Sequence, residues 1–159
     1  MQKSILTQAA FSCGGGALEY LSQIDCRQIM IISDKNSEFA TEISKKAKHI
    51  MENCGRQFTE YTELSKKPTI SELLTGIDFM QKERPDTVLV VGEDSTINAA
   101  KIMLLLYEYP DMNFFQMKKA ETDMLKLKTK FIIIPVNSGN ATGISQIGTT
   151  MVDMYDMKE

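Results

Sequence analysis

Three uninterrupted apolar runs limit what this chain can become: QIMIIS at 28–33, TVLVV at 87–91 and FIII at 131–134. None alternates apolar with polar residues. A strand built from any of them must be covered on both faces, as in a parallel sheet with helices above and below. The segments between the runs supply those covers. Residues 38–53 carry Phe39, Ile43, Ala47, Ile50 and Met51 at helical spacing, with Gly55 following as a stop. Pro68, Thr69 and Ser71 open a second helix that runs to Lys82, and residues 95–108 make a third that Pro110 keeps from extending. Residues 57–61 read as a weaker strand, and 4–11 and 147–154 as short strands near the two ends. Gly14, Gly15 and Gly16 turn into a short helix bearing Leu18, Leu21 and Ile24. The polar, lysine-rich stretch 111–130 reads as a surface loop. Alternating buried strands and amphipathic helices predict one α/β domain over residues 1–159, an open parallel sheet with helices on both faces.

A chain of 159 residues buries roughly 70% of the surface its unfolded form exposes, so folding requires neither metal nor disulfide. Cys13, Cys26 and Cys54 are odd in number and lack CxxC spacing, which suits reduced thiols in a cytoplasmic protein. The formal net charge of −3 provides no general attraction to nucleic acid or to an anionic membrane. No apolar run approaches the roughly 18 residues of a membrane span, and the N-terminus lacks the apolar core of a signal peptide.

Open parallel sheets bind ligands beyond the carboxyl ends of their strands. Three polar loops leave such ends: Asp34-Lys35-Asn36 after the first run, Gly92-Glu93-Asp94-Ser95 after the second, and 136–143 after the third. Asp34 can accept hydrogen bonds from a ribose hydroxyl, or it can cap the following helix. Ser95 and Thr96 can donate to a phosphate at a helix N-terminus, or they can serve as caps. Asn137, Ser138, Asn140 and Thr142 can line the same crevice, or satisfy their own loop.

Four stretches, in the same order and spacing, resemble the N-terminal domain of the iron-containing alcohol dehydrogenases. FSCGGGALEYL lies near that family's N-terminal glycine-and-leucine motif, and IMIISDK where it has an apolar strand followed by Thr-Asp. VGEDSTINAAK, residues 91–101, sits where the family has Val-Gly-Gly-Gly-Ser-Pro-Ile-Asp-Ala-Ala-Lys. IIIPVNSGNATGIS sits where it has Ile-Pro-Thr-Thr-Ala-Gly-Thr-Gly-Ser-Glu. The resemblance implies a Rossmann-like domain that binds NAD or NADP, with Asp34 at the adenosine ribose favouring NAD. It implies Gly92 and Ser95 at the pyrophosphate, with Ser138, Gly139 and Thr142 toward the nicotinamide. The family's iron is held by an aspartate and three histidines of a C-terminal helical domain. That domain is absent from this chain, whose only histidine is His49. The resemblance also implies a homodimer paired through the N-terminal strand.

Departures from the family pattern fall in both the second and third loops: Glu93 and Asp94 replace two glycines, Thr96-Ile97-Asn98 its Pro-Ile-Asp, Val136-Asn137 its Thr-Thr, and Asn140-Ala141-Thr142-Gly143 its Thr-Gly-Ser-Glu. A carboxylate about 6 Å from a phosphate charge costs about 3 kcal/mol at an effective dielectric near 20. At an empty helix N-terminus the same acid contributes about 0.3–1 kcal/mol. The expectation is therefore that Glu93 and Asp94 fill with their own oxygens the place of the anion and weaken NAD binding; a magnesium or calcium role is the alternative for these paired acids. Two functions follow. The chain is the cofactor half of an alcohol dehydrogenase-like oxidoreductase, inactive by itself, or a non-catalytic domain that kept the fold for binding or assembly.

Overall fold

The computed structural model describes residues 10–11, 16–112 and 127–136. In chain order they form β1 (Ala10–Phe11), α1 (Gly16–Leu21), β2 (Gln28–Ser33), α2 (Glu38–Asn53), β3 (Gln57–Tyr61), α3 (Ile70–Glu83), β4 (Thr87–Gly92), α4 (Asp94–Glu108) and β5 (Lys130–Pro135). The strands make one parallel sheet in the order β1-β5-β4-β2-β3. The three apolar runs are its inner strands. All six residues of β4, at the centre, are buried, as a run without polar alternation requires.

Strand order decides where the helices lie. The connections β1 to β2 and β2 to β3 carry the chain toward the β3 edge, whereas β3 to β4 and β4 to β5 carry it back. With right-handed crossovers throughout, α1 and α2 must lie on one face and α3 and α4 on the other. Two cores result. Ala47 and Met51 of α2 share one with Ile29, Ile31, Leu89 and Val91, while Ile77 of α3 and Ile97 of α4 share the other with Met30, Ile32, Val88 and Val90. Successive residues of one strand feed opposite cores because side chains alternate across a sheet. The expected α/β, Rossmann-like architecture is the one observed.

Local chemistry sets the helix boundaries. Ser37 caps α2, its Oγ accepting from the Ala40 N–H at 3.2 Å. The chain leaves α2 through Gly55 at φ 65°, a left-handed conformation open to glycine without penalty. Thr69 and Glu72 form a capping box at α3, and the Glu72 carboxylate also accepts from Ser65. At the lower end of the sheet, Asp86 accepts from the N–H groups of Arg27 and Gln28, and Glu108 from those of Lys128 and Thr129. These carboxylates fix where β2 and β5 begin. Small shifts separate expectation from structure: α1 stops at Leu21, α4 begins one residue early at Asp94, and Pro135 closes β5 from inside it. Of the expected N-terminal strand only Ala10–Phe11 is described, and residues 147–154 lie outside the described residues.

Among the described residues two buried hydroxyls, those of Ser44 and Thr59, have no hydrogen-bond partner. Ala40, Ser44, Ala47 and Met51 are the buried residues of α2, and the Ser44 hydroxyl has no hydrogen-bond partner. An unpaired buried hydroxyl costs about 1–3 kcal/mol on the scale of protein substitutions. Ser44→Ala is therefore expected to stabilise the domain by about 1 kcal/mol. The urea midpoint should rise with an unchanged slope; a fall would show that the hydroxyl is satisfied.

Candidate functional site

The direction of the chain across the sheet reverses between β2 and β4, so the crevice above their carboxyl ends is the topological switch point. Register brings the three exits together. Ser33 pairs with Val91, Gly92 pairs with Pro135, and the Val136 N–H donates to the Gly92 carbonyl at 3.1 Å. Asp34 and the loop beginning at Gly92 thus leave adjacent strands one step beyond paired residues.

Asp34 is 4% exposed, and its Oδ1 accepts from the Asn36 N–H at 2.8 Å. The Asp34 carbonyl accepts from Ser37, the residue that caps α2. The capping alternative for Asp34 is thereby excluded: its side chain closes the turn before the helix, three residues ahead of the cap Ser37.

Gly92 has a reason of its own to be glycine. A Cβ there would lie 2.8 Å from Thr96 Cβ and 2.9 Å from Thr96 Cγ2. Thr96 is buried against this backbone, at 1% exposure, so it is neither a cap nor a surface phosphate donor. The N-cap of α4 is Glu93, in extended conformation, with its carbonyl accepting from the Ile97 N–H at 3.0 Å. The Glu93 carboxylate makes no capping hydrogen bond. The expectation that Glu93 fills the anion position with its own oxygens is corrected here. Its chain is longer than those of the residues that fold back well onto the first-turn amides, namely Asp, Asn, Ser and Thr. Asp94 is the exposed first residue of α4, and Ser95 is half-buried in the first turn, inside the helix and not at its cap. Asn137, Ser138, Gly139 and Thr142 lie outside the described residues.

Sequence reading passed over Lys101. It is 3% exposed in the middle of α4. Burial pushes its ammonium down from 10.5 to about 8, against an opposing pull from Asp94. The signal was a lone cation within the apolar stretch AAKIMLLL. His49 is exposed on α2. Among the described residues no three His, Cys, Asp or Glu side chains are placed together to hold a metal. Among them, too, no helix is long and apolar enough to cross a membrane.

An open parallel sheet with polar loops gathered at its switch point defines a Rossmann-like α/β domain. The family described as iron-containing alcohol dehydrogenase matches residues 10–154, and the chain belongs to it. It is 28% identical over 133 residues to an NADPH-dependent butanol dehydrogenase of Clostridium saccharobutylicum, covering 83% of this chain and 34% of that protein. It is 23% identical over 144 residues to a bifunctional aldehyde-alcohol dehydrogenase of Escherichia coli, covering 83% of this chain and 16% of that one. Among solved structures, an iron-containing alcohol dehydrogenase from Thermococcus thioreducens superposes with a TM-score of 0.70 at 20% identity, over 87% of this chain and 38% of that one. An NADH-dependent butanol dehydrogenase from Thermotoga maritima gives a TM-score of 0.68 at 18% identity, over 89% of this chain and 35% of that one. The chain thus spans about a third of the first of these relatives and less of the second.

Proposed function

We propose that this chain is the dinucleotide-binding domain of an iron-containing alcohol dehydrogenase-like oxidoreductase, able to hold NAD weakly and unable to turn over an alcohol without the family's metal-binding part. One observation carries this reading: Glu93 caps α4 through its backbone while its carboxylate leaves the first-turn amides alone, at the switch point and next to Asp34. Those amides and the helix dipole suit a diphosphate. Asp34, already held in its turn by Asn36, would face the adenosine ribose, and Ser95 would stand beside the diphosphate. A bound nicotinamide would supply the hydride chemistry. The part of this chain is to hold and orient the dinucleotide. The negative charge of Glu93 opposes that binding, which sets the expectation of weak affinity.

A second reading, a non-catalytic domain used for binding or assembly, is favoured by the same two acids at positions 93 and 94. Calorimetry separates the two. A dissociation constant on the order of 1 mM for NADH, tightening in Glu93→Gln, supports the cofactor reading. No heat with NADH or NADPH for either protein overturns it. Metal-dependent oxidation of an alcohol by the isolated chain would overturn the predicted inactivity. Pairing of two copies through the N-terminal strand is part of the proposal, and light scattering that shows only monomer removes it.

A further inference from the structure

Among the described residues the large apolar side chains left exposed are Tyr20, Phe39 and Leu74, and Phe39 is the most exposed of them at 54%. It is the second residue of α2, just past the turn that begins at Asp34. A ring so placed contributes little to the core. Its position shows what else it can serve.

Helix geometry fixes the side of α2 on which Phe39 stands. Lys48 lies nine residues further on, half a revolution out of phase at 3.6 residues per turn. The Lys48 ammonium meets the Glu60 carboxylate of β3, the edge strand, at 2.8 Å. The Phe39 flank therefore faces the opposite way, toward β4 and the middle of the sheet. Ile43 and Ile50 share that flank and pack, partly buried, on the core that holds Leu89, Val91 and Ile134. Phe39 stands at the crevice end of this row, one turn before Ile43. Helical side chains lean toward the N-terminus of their helix, so its ring covers ground beside the Asp34 turn.

That turn is tied to α2. The Ser37 N–H donates to the Asp34 carbonyl at 3.2 Å, the Asn36 N–H donates to Asp34 Oδ1 at 2.8 Å, and Ser37 caps the helix. Ring and carboxylate are thus held on one corner of the crevice. On the β5 side of the crevice, Val136 packs half-buried on the same core and its N–H donates to the Gly92 carbonyl. A flat apolar ring, a carboxylate that accepts from hydroxyls and the helix amides past Gly92 match the base, ribose and phosphate of a nucleotide.

We propose that Phe39 is the base platform of this site, its exposed ring stacking on the adenine of the dinucleotide whose ribose Asp34 holds. The inference rests on the cofactor reading above and deepens it. The adenosine end supplies most of the affinity, because Glu93 opposes the diphosphate whereas an uncharged base is indifferent to it.

The test titrates the full chain with NADH, AMP and nicotinamide mononucleotide by NMR, as wild type, Phe39→Ala, Phe39→Leu and Phe39→Tyr. The ring lies outside the core, so all four are expected to share one urea midpoint. Phe39→Ala is expected to weaken NADH and AMP by about tenfold. Phe39→Leu, which keeps bulk without a π face, is expected to weaken them too, and Phe39→Tyr to bind as the wild type does. The adenine H2 and H8 signals should move upfield on binding to wild type and Phe39→Tyr, and not on binding to Phe39→Ala. Nicotinamide mononucleotide should not distinguish wild type from Phe39→Ala. Equal NADH affinity in wild type and Phe39→Ala, or adenine signals without the upfield shift, overturns the inference. So does a Phe39→Ala protein whose mass by light scattering changes while its NADH affinity does not, since the ring would then be a contact between copies. Binding that ignores Phe39 removes this inference alone. Absence of NADH and AMP binding in both wild type and Glu93→Gln removes the cofactor reading, and this inference with it.

Discussion

At pH 7, Lys101→Met should be more stable than the wild type by about 3 kcal/mol, and the advantage should disappear as pH rises past 10. The sign follows from the proton balance. The Lys101 ammonium is pushed down from 10.5 in the unfolded chain to about 8 in the folded one, chiefly by burial, with Asp94 opposing. Below pH 8 both states carry the proton, and the folded state bears the full cost of the buried charge. Between about 8 and 10.5 the folded chain has released it and the unfolded chain has not. The unfolded state then binds more protons, so wild-type stability rises with pH through this window. Above it both states are neutral and the term vanishes. A displacement of that size corresponds to roughly 3 kcal/mol. Methionine fills a similar volume with no charge to bury, and Asp94, exposed at the helix start, loses little when left in water. Urea midpoints at pH 7 and pH 10 check this directly. A wild type that loses stability between pH 8 and 10 relative to Lys101→Met would contradict the assignment of a depressed ammonium.

Gly92→Ala should destabilise the domain by about 1–3 kcal/mol, and Thr96→Ala should not rescue it fully. The new methyl would lie 2.8 Å from Thr96 Cβ and 2.9 Å from its Cγ2, with Oγ1 at 3.2 Å. Alanine at 96 removes Cγ2 and Oγ1 but keeps Cβ, the nearest atom. Full relief requires glycine at 96 or a shift of α4 away from β4. The strand ends in a fully buried run and α4 packs into the core, so neither element moves freely. Chemical denaturation of Gly92→Ala, Thr96→Ala and the pair measures the coupling. Full recovery in the pair would place the clash at the end of the threonine side chain. The consequence for function is that this glycine is retained for helix–strand packing even if no phosphate ever approaches it.

Much of the fold was legible because it depends on local composition. Three unbroken apolar runs require cover on both faces, and β2, α2 and β3 form over the residues their patterns predicted. The candidate site was legible only in outline. Polar loops after strands are visible in any sequence of this kind, but their roles depend on hydrogen bonds between residues that spacing alone does not connect. Asp34 and Ser37 both suit a helix cap, and only the path of the chain shows Ser37 capping α2 while Asp34 closes the turn before it. Glu93 was expected to fill the anion place because acids favour helix starts; its reach prevents this. Lys101 was overlooked because a lysine at helical spacing reads as a solvated residue until neighbours from other elements are in place around it.

By itself the sequence determined the class of fold, since alternating both-face strands and one-face helices have few ways to exclude water, and it determined the family through motifs kept in order. Tertiary structure alone decided that Ser37 and not Asp34 caps α2, that Lys101 lies buried in α4, and why Gly92 admits no side chain. Those outcomes depend on distances between separate elements and on the loss of water around them, and neither exists until β2, β4 and α4 are packed.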